Sequence, residues 1–147
     1  MILRPALPHD APAIKACAWA AFEGYIPLIG RAPAPIMAPF ADQIARGHIH
    51  LAEINRVVGY VTFYPIGPTM EVEVLAVLPE VKGQGIGKAL LHHCEATAKA
   101  MGLRKMTLYT NAAMSQNLSL YPHLGYLEVD RRSEDGFQRV YCEKPLA

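Results

Sequence analysis

The sequence is poor in net charge. Lysine and arginine number 14 and aspartate and glutamate 13 among 147 residues, a net charge of +1. A chain so balanced lacks the positive field of a bulk nucleic-acid binder, or of a surface that clings to anionic lipid. Cysteine is scarce as well: Cys17, Cys94 and Cys142 are odd in number, with no CxxC pair and no zinc-knuckle spacing, and are expected as small buried hydrophobes. No uncharged apolar run approaches the roughly 18 residues that span a bilayer. The N-terminus has no basic region leading into an apolar run of signal-peptide length. There is no repeat and no low-complexity tract. These absences lead us to expect a cytoplasmic protein of one domain, residues 1–147, with neither membrane nor nucleic acid as a partner.

What is present is apolar and punctuated. Hydrophobic residues make up 52% of the chain. Surface scaling for 16.1 kDa gives a folded area of about 7,400 Å² against about 23,000 Å² unfolded, enough burial for a core without staples. Seven of the 12 prolines lie at or before Pro39, and Gly83, Gly85 and Gly87 form a separate cluster.

Periodicity predicts a strand over residues 1–4 and a helix capped by Asp10, with Ile14, Cys17, Ala21, Phe22 and Tyr25 at helical spacing, and with Trp19 and Phe22 expected in the core or else in a substrate-pocket wall. Residues 26–39 are too rich in Pro and Gly for one regular element, and a second helix is expected over 36–46. Strands at 48–54 and 57–64 flank Asn55-Arg56, with Pro65, Gly67 and Pro68 as a break. The run 70–78 is expected as a central strand, buried on both faces toward its end. A helix from Ile86 to Gly102, a strand at 105–110, a helix at 115–123 capped by Ser115 and a terminal hairpin around Asp135-Gly136 complete the chain. The order implies an α/β (α+β) fold: a mixed sheet with helices on both faces and one right-handed parallel crossover between residues 70 and 110.

The strongest chemical signal is the segment from Val81 to Leu91, which leaves an apolar strand and opens an amphipathic helix. Glycines let backbone approach a ligand closely, and the free N–H groups of a first helical turn make an anion site. The dinucleotide pattern GxGxxG fails, because a third glycine is missing at Lys88 or Leu90. The P-loop pattern fails at Lys82 and Ala89. A nucleotide-binding oxidoreductase is therefore disfavoured.

The spacing Lys82-x-x-Gly85-x-Gly87 resembles the pyrophosphate loop of the GCN5-related N-acetyltransferases, with lysine where that family has Arg or Gln. Lysine serves a phosphate as a point charge rather than bidentately. The resemblance extends to Leu75–Glu80 as the central strand and its exit. It also covers Asn117–Tyr126 as a late helix ending in a tyrosine, Asp135–Phe137 with Val140-Tyr141 as a closing hairpin, and Ile29-Gly30-Arg31 with Pro33 and Pro35 as a substrate segment. It implies a mostly antiparallel sheet of about six to seven strands, splayed at the central strand and flanked by about four helices.

For chemistry, the resemblance implies acetyl transfer from acetyl-CoA to an amine of a small molecule or protein, by direct attack in a ternary complex and without a metal. Leu75, Ala76 and Val77 would pair with the pantetheine arm. Lys82, Gly83, Gln84, Gly85, Ile86, Gly87 and Lys88 would hold the pyrophosphate. Tyr121 matches the family's general acid, and a phenol is protonated at neutral pH; by residue type alone it is equally a packing tyrosine. Glu73 is the expected base, with Glu71 on the same strand face; both also suit a solvated strand. Asn117 is either a second CoA contact, as in relatives with this spacing, or an exposed residue at a helix start. Met114 stands where the family more often has an asparagine. Tyr25 and Arg31 border the Pro-rich segment, expected as a wall of the acceptor pocket. His48 and His50 alternate on one strand without a third metal ligand, and His92-His93 is expected at the surface. The sequence leaves the oligomeric state open; a homodimer is common in the family and is the general prior. A catalytically silent CoA-binding sensor on the same fold is the competing reading.

Overall fold

The computed structural model describes all of Met1–Ala147. Its accessible surface is 7619 Å², close to the scaling value. The elements are β1 (Ile2–Pro5), α1 (Ala11–Phe22), α2 (Ile26–Ile29), α3 (Phe40–Ala45), β2 (Ile49–Glu53), β3 (Val57–Ile66), β4 (Thr69–Val77), α4 (Ile86–Ala100), β5 (Lys105–Asn111), α5 (Ser115–His123), β6 (Leu127–Glu134) and β7 (Phe137–Pro145). The seven strands form one sheet in the order β1-β2-β3-β4-β5-β7-β6. Strands β4 and β5 pair in parallel, while β1–β2, β2–β3, β5–β7 and β6–β7 are antiparallel. The mixed, mostly antiparallel sheet with helices is the fold expected. No helix is long and apolar enough to cross a membrane. All three cysteines are free and buried, and burial pushes the Cys17 thiol up to about 12.

The chain forms two compact units, Met1–Phe63 with Val74–His93, and Tyr64–Glu73 with Cys94–Ala147. In the first, Asp10 anchors the start of α1. Its carboxylate accepts two hydrogen bonds from Arg4, at 2.8 and 3.0 Å, and one from the Leu7 N–H at 2.7 Å. The Arg4 guanidinium holds its pKa down to about 2. Helix α1 buries Ile14, Cys17, Ala18 and Phe22. Trp19 corrects the expectation: it lies about 100° of helix rotation from Ala18, outside that arc, and is 41% exposed.

The Pro-rich stretch holds the single turn α2, stopped by Gly30 at φ +88°, and a 3-10 turn at Ala34–Met37. The helix expected over 36–46 is split. Ala38 precedes a proline, which drives it out of the helical region to ψ 151°, and α3 begins only at Phe40. Pro65 does not end β3. The last bond from β3 toward β2 is the Phe63 N–H to the His48 carbonyl at 2.8 Å, so Pro65 lies where the outer edge needs no N–H, and the chain turns instead at Gly67, φ +57°.

Strand β4 is not buried on both faces. Met70, Val72, Val74 and Ala76 are buried, while Thr69, Glu71, Glu73, Leu75 and Val77 are half-exposed, a strict alternation. Gly59 of β3 sets the packing behind it. A Cβ there would stand 2.8 Å from the Ala76 carbonyl oxygen and 3.3 Å from Ile86 and Leu90 side-chain carbons. Only glycine lets the first turn of α4 sit this close to the sheet.

His93 is not a plain surface residue. Its Nε2 lies 2.8 Å from Nδ1 of His50, and the His50 ring packs edge-on to Phe63 at 4.9 Å. Burial first, and the neighbouring imidazole second, lower His50 to about 4. Burial likewise lowers His93. The sign follows. The unfolded chain takes up a proton near pH 6.5 that the folded chain refuses until about pH 4. This part of the stability is therefore complete above pH 6.5 and declines as pH falls toward 4. Because water reaches part of the ring, the expected loss is roughly 1–2 kcal/mol. Urea melts of wild type and His50→Phe at pH 7.0 and 4.5 check it: the variant should lose visibly less stability between the two, and equal losses would count against the pair.

In the second unit, β4 and β5 pair from Thr69↔Lys105 to Val72↔Leu108. Strand β7 pairs with β5 along its length, from Lys105↔Pro145 to Asn111↔Arg139. The β6–β7 hairpin turns at Asp135 (φ 51°) and Gly136 (φ 79°), the positive pair that a type I′ turn requires. Beneath β5 and β7, the buried carboxylate of Glu95 accepts from the Tyr126 hydroxyl at 2.7 Å and from Lys144 Nζ at 3.0 Å.

Candidate functional site

The glycine loop behaves as its composition demands. Gly83 and Gly85 take φ +83° and +81°, conformations that side chains disfavour. Ala89 makes the first helical bond of α4, to the Gly85 carbonyl at 3.0 Å. The N–H groups of Ile86, Gly87 and Lys88 thus have no partner four residues back. Lys82, Gln84, Gly85 and Lys88 are exposed, while the Ile86 side chain is buried and leaves only its backbone to a ligand. The Lys82 N–H is already bonded to the Pro79 carbonyl at 3.3 Å, so its contribution is the ammonium group. Gly87 has an ordinary φ, and a Cβ on it would meet only Val77 and Leu75 side chains at 3.7 and 3.8 Å. The protein itself does not require glycine at position 87.

Beside the loop lies the end of β4. The Leu78 N–H bonds the Val58 carbonyl at 2.9 Å, so by alternation Ala76 also turns its backbone toward β3. Leu75 and Val77 direct theirs to the opposite edge, beyond the last β4–β5 pair at Val72. Of the three residues expected to offer main-chain groups, Leu75 and Val77 therefore suit the role and Ala76 does not.

In the second unit, Glu71 and Glu73 share a strand face, as expected. The Tyr64 hydroxyl donates to Glu73 at 3.1 Å, and the Thr107 hydroxyl donates to Glu71. Burial, with Glu73 adding repulsion, raises the Glu71 pKa against the pull of Thr107. Tyr64 is raised by burial and by Glu73. The carboxylates are thus half-buried and hydrogen-bonded, in a setting that favours proton uptake by Glu71.

Tyr121 is 5% exposed near the end of α5, edge-on to Tyr126 at 6.2 Å. Its carbonyl accepts the N–H groups of Leu124 and Tyr126, both at 3.0 Å, and Gly125 (φ +92°) allows that reversal. The N-cap of α5 is Met114, not Ser115. Asn117 turns inward, its amide nitrogen bonding Thr110 Oγ1 at 3.1 Å, so it ties α5 to β5. In the first unit, Tyr25 is half-buried and Arg31 exposed.

Sequence reasoning missed Gly59, Tyr64, Thr107 and Glu95. Two carried a readable signal. Gly59 is a glycine inside a strand pattern, which marks close backbone approach. Glu95 is an acid four residues beyond Leu91, next to the apolar stripe of α4.

Comparison with known proteins adds three kinds of likeness. A model of the acetyltransferase (GNAT) family matches residues 14–126. A mycothiol acetyltransferase of Jonesia denitrificans is 31% identical over 90 residues, 57% of this chain and 29% of that protein. The uncharacterized N-acetyltransferase YjgM of Escherichia coli is 32% identical over 60 residues, 41% of this chain and 36% of that protein. The match therefore spans only about a third of the length of these curated relatives. Among solved structures, the PaiA N-acetyltransferase of Thermoplasma acidophilum, in complex with coenzyme A, superposes with a TM-score of 0.81 at 20% identity, over 98% of both chains. The ribosomal-protein-S18-alanine N-acetyltransferase of Escherichia coli gives 0.77 at 17% identity, over 99% of this chain and 94% of that one. At these identities the two structures speak for the fold.

Proposed function

The chain belongs to the acetyltransferase (GNAT) family, and from that premise we propose that it transfers the acetyl group of acetyl-CoA to an amine of a small molecule or protein, by direct attack in a ternary complex. The observation that carries the reading is the loop: two left-handed glycines, unpartnered N–H groups at the start of α4 and exposed Lys82 and Lys88 fall within one short segment, of the kind in which an anion gains most. The pyrophosphate of CoA is the guest proposed for it, with pantetheine along the outward backbone of Leu75 and Val77.

The roles follow from the chemistry. Glu73 takes a proton from the acceptor ammonium, directly or through water, with Glu71 beside it. The amine nitrogen then bonds to the thioester carbon. A backbone N–H of the β4 edge stabilises the oxyanion that forms. The C–S bond breaks as the Tyr121 hydroxyl gives its proton to the departing sulfur, and the second proton shed by the nitrogen passes through water to the phenolate, which leaves the neutral amide, the CoA thiol and Tyr121 as it began.

Thermal melts with CoA, acetyl-CoA, NAD and ATP test the cofactor reading. At a ligand concentration of about 100 Kd, binding adds about 2.7 kcal/mol, a rise in Tm of about 5–10 °C. The rise is expected with the two CoA species alone; a rise with NAD or ATP and none with CoA overturns the reading. Gly87→Leu sharpens the test. It should fold normally, since a helical glycine is replaced by a better helix former, yet lose about tenfold or more in CoA affinity, because its side chain fills the approach to the N–H groups. CoA affinity unchanged in this variant would place the ligand elsewhere.

A further inference from the structure

The half-exposed face of the second unit carries charge that the net charge of the chain hides. By strand register, Glu71 and Glu73 of β4, Thr107 and Tyr109 of β5, and Arg139 and Tyr141 of β7 share this face. Lys105 and Glu143, on the same face, pair with each other at 3.0 Å. Glu71 and Glu73 lie toward one end and the Arg139 guanidinium toward the other, where Glu134 is its nearest carboxylate. Tyr109 stands between them: burial first, then Glu73 and Glu71, push its phenol up against the pull of Arg139, to about 12.

Arg139 is unlike the paired arginines. Arg4, Arg46, Arg56, Arg131 and Arg132 each hold a carboxylate at 2.7–3.1 Å, with side chains 25–64% exposed. The Arg139 side chain is only 15% exposed, yet its one carboxylate contact, Glu134, is 3.9 Å away, too far for a hydrogen bond. That carboxylate is already occupied by the Tyr141 hydroxyl. The guanidinium is held instead by ring faces, 4.7 Å from the centre of Tyr109 and 5.5 Å from that of Phe137. A largely desolvated fork fixed by aromatic faces, with its donors unspent, is a preorganised receptor for a carboxylate.

We propose that the acceptor is an aminocarboxylate, a molecule carrying both the reacting amine and a carboxylate, and that Arg139 is the specificity-determining residue that reads the carboxylate while the amine lies toward Glu73. The proposal rests on the acetyltransferase reading for the role of this face and adds the substrate class. Two measurements separate them. The first is ligand-observed NMR binding of aminocarboxylates of increasing chain length and of their matched primary amides, to wild type, Arg139→Gln and Arg139→Lys, with melting curves to confirm folding. The second is CoA thiol release with the same panel. Wild type should prefer acid over matched amide by about tenfold or more, the value of a charge-assisted hydrogen bond. Arg139→Gln should bring that ratio near one, and Arg139→Lys should recover part of it. Amides bound as tightly as acids, a ratio unmoved in Arg139→Gln, or no aminocarboxylate bound at all would each overturn the proposal. Acid-selective binding without thiol release would uphold carboxylate recognition by Arg139 and overturn the acetyltransferase reading, and with it the role of the ligand as acceptor.

Discussion

Replacing Tyr121 with phenylalanine is expected to lower kcat by about 100-fold or more while the protein stays folded. Its ring packs edge-on against Tyr126, and its carbonyl receives the N–H groups of Leu124 and Tyr126. Phenylalanine keeps both and removes only the hydroxyl. General acid catalysis contributes about 10²–10⁴-fold, and a thiolate, already a good leaving group, places the loss toward the lower end. Initial rates at saturating acetyl-CoA, with CoA affinity measured separately, check the assignment. A kcat within about twofold of wild type would reduce Tyr121 to a packing residue and leave the proton to water.

The largest stability effect is expected at Glu95. Its carboxylate, in a residue 8% exposed, satisfies the Tyr126 hydroxyl and the Lys144 ammonium together. Lys144 also lies 5.5 Å from the centre of the Tyr126 ring and against Gly125. Glu95→Leu leaves both donors without their acceptor in a desolvated place, at a cost of about 3–5 kcal/mol, or a fall in Tm of roughly 6–15 °C. The triple variant Glu95→Leu, Tyr126→Phe, Lys144→Met removes the polar groups together and should recover most of that loss. A single variant that melts within about 2 °C of wild type would mean that the three groups reach water.

These residues also mark where the sequence could be read and where it could not. The glycine loop was legible because its cause is local: Gly83 and Gly85 are required by their own φ angles, and the helix start follows from the stripe at Ile86, Leu90 and Leu91. The pairing of Glu71 with Glu73 on one face follows from the two-residue period of a strand. The break within 36–46 was also local, in Ala38-Pro39, but the apolar spacing outweighed it. The remainder depends on tertiary placement. Glu95 meets partners 31 and 49 residues away. His50 meets His93 across 43 residues. Arg139 comes over Tyr109 only because β7 returns beside β5 in one register. Composition, with its net charge of +1, gave no hint that a half-buried guanidinium would lie against ring faces on the sheet face that carries Glu71 and Glu73.

The proposed reaction moves an acetyl group from acetyl-CoA to an amine. The most direct test incubates the purified protein with acetyl-CoA and a panel of amines that includes the aminocarboxylates, and follows both free CoA thiol and N-acetylated product by mass spectrometry. Thiol and acetylated amine should appear together, in equal amounts, and only when an amine is present. Tight binding of acetyl-CoA with no acetylated product across the panel would contradict the claim and point to a CoA-binding sensor on the same fold.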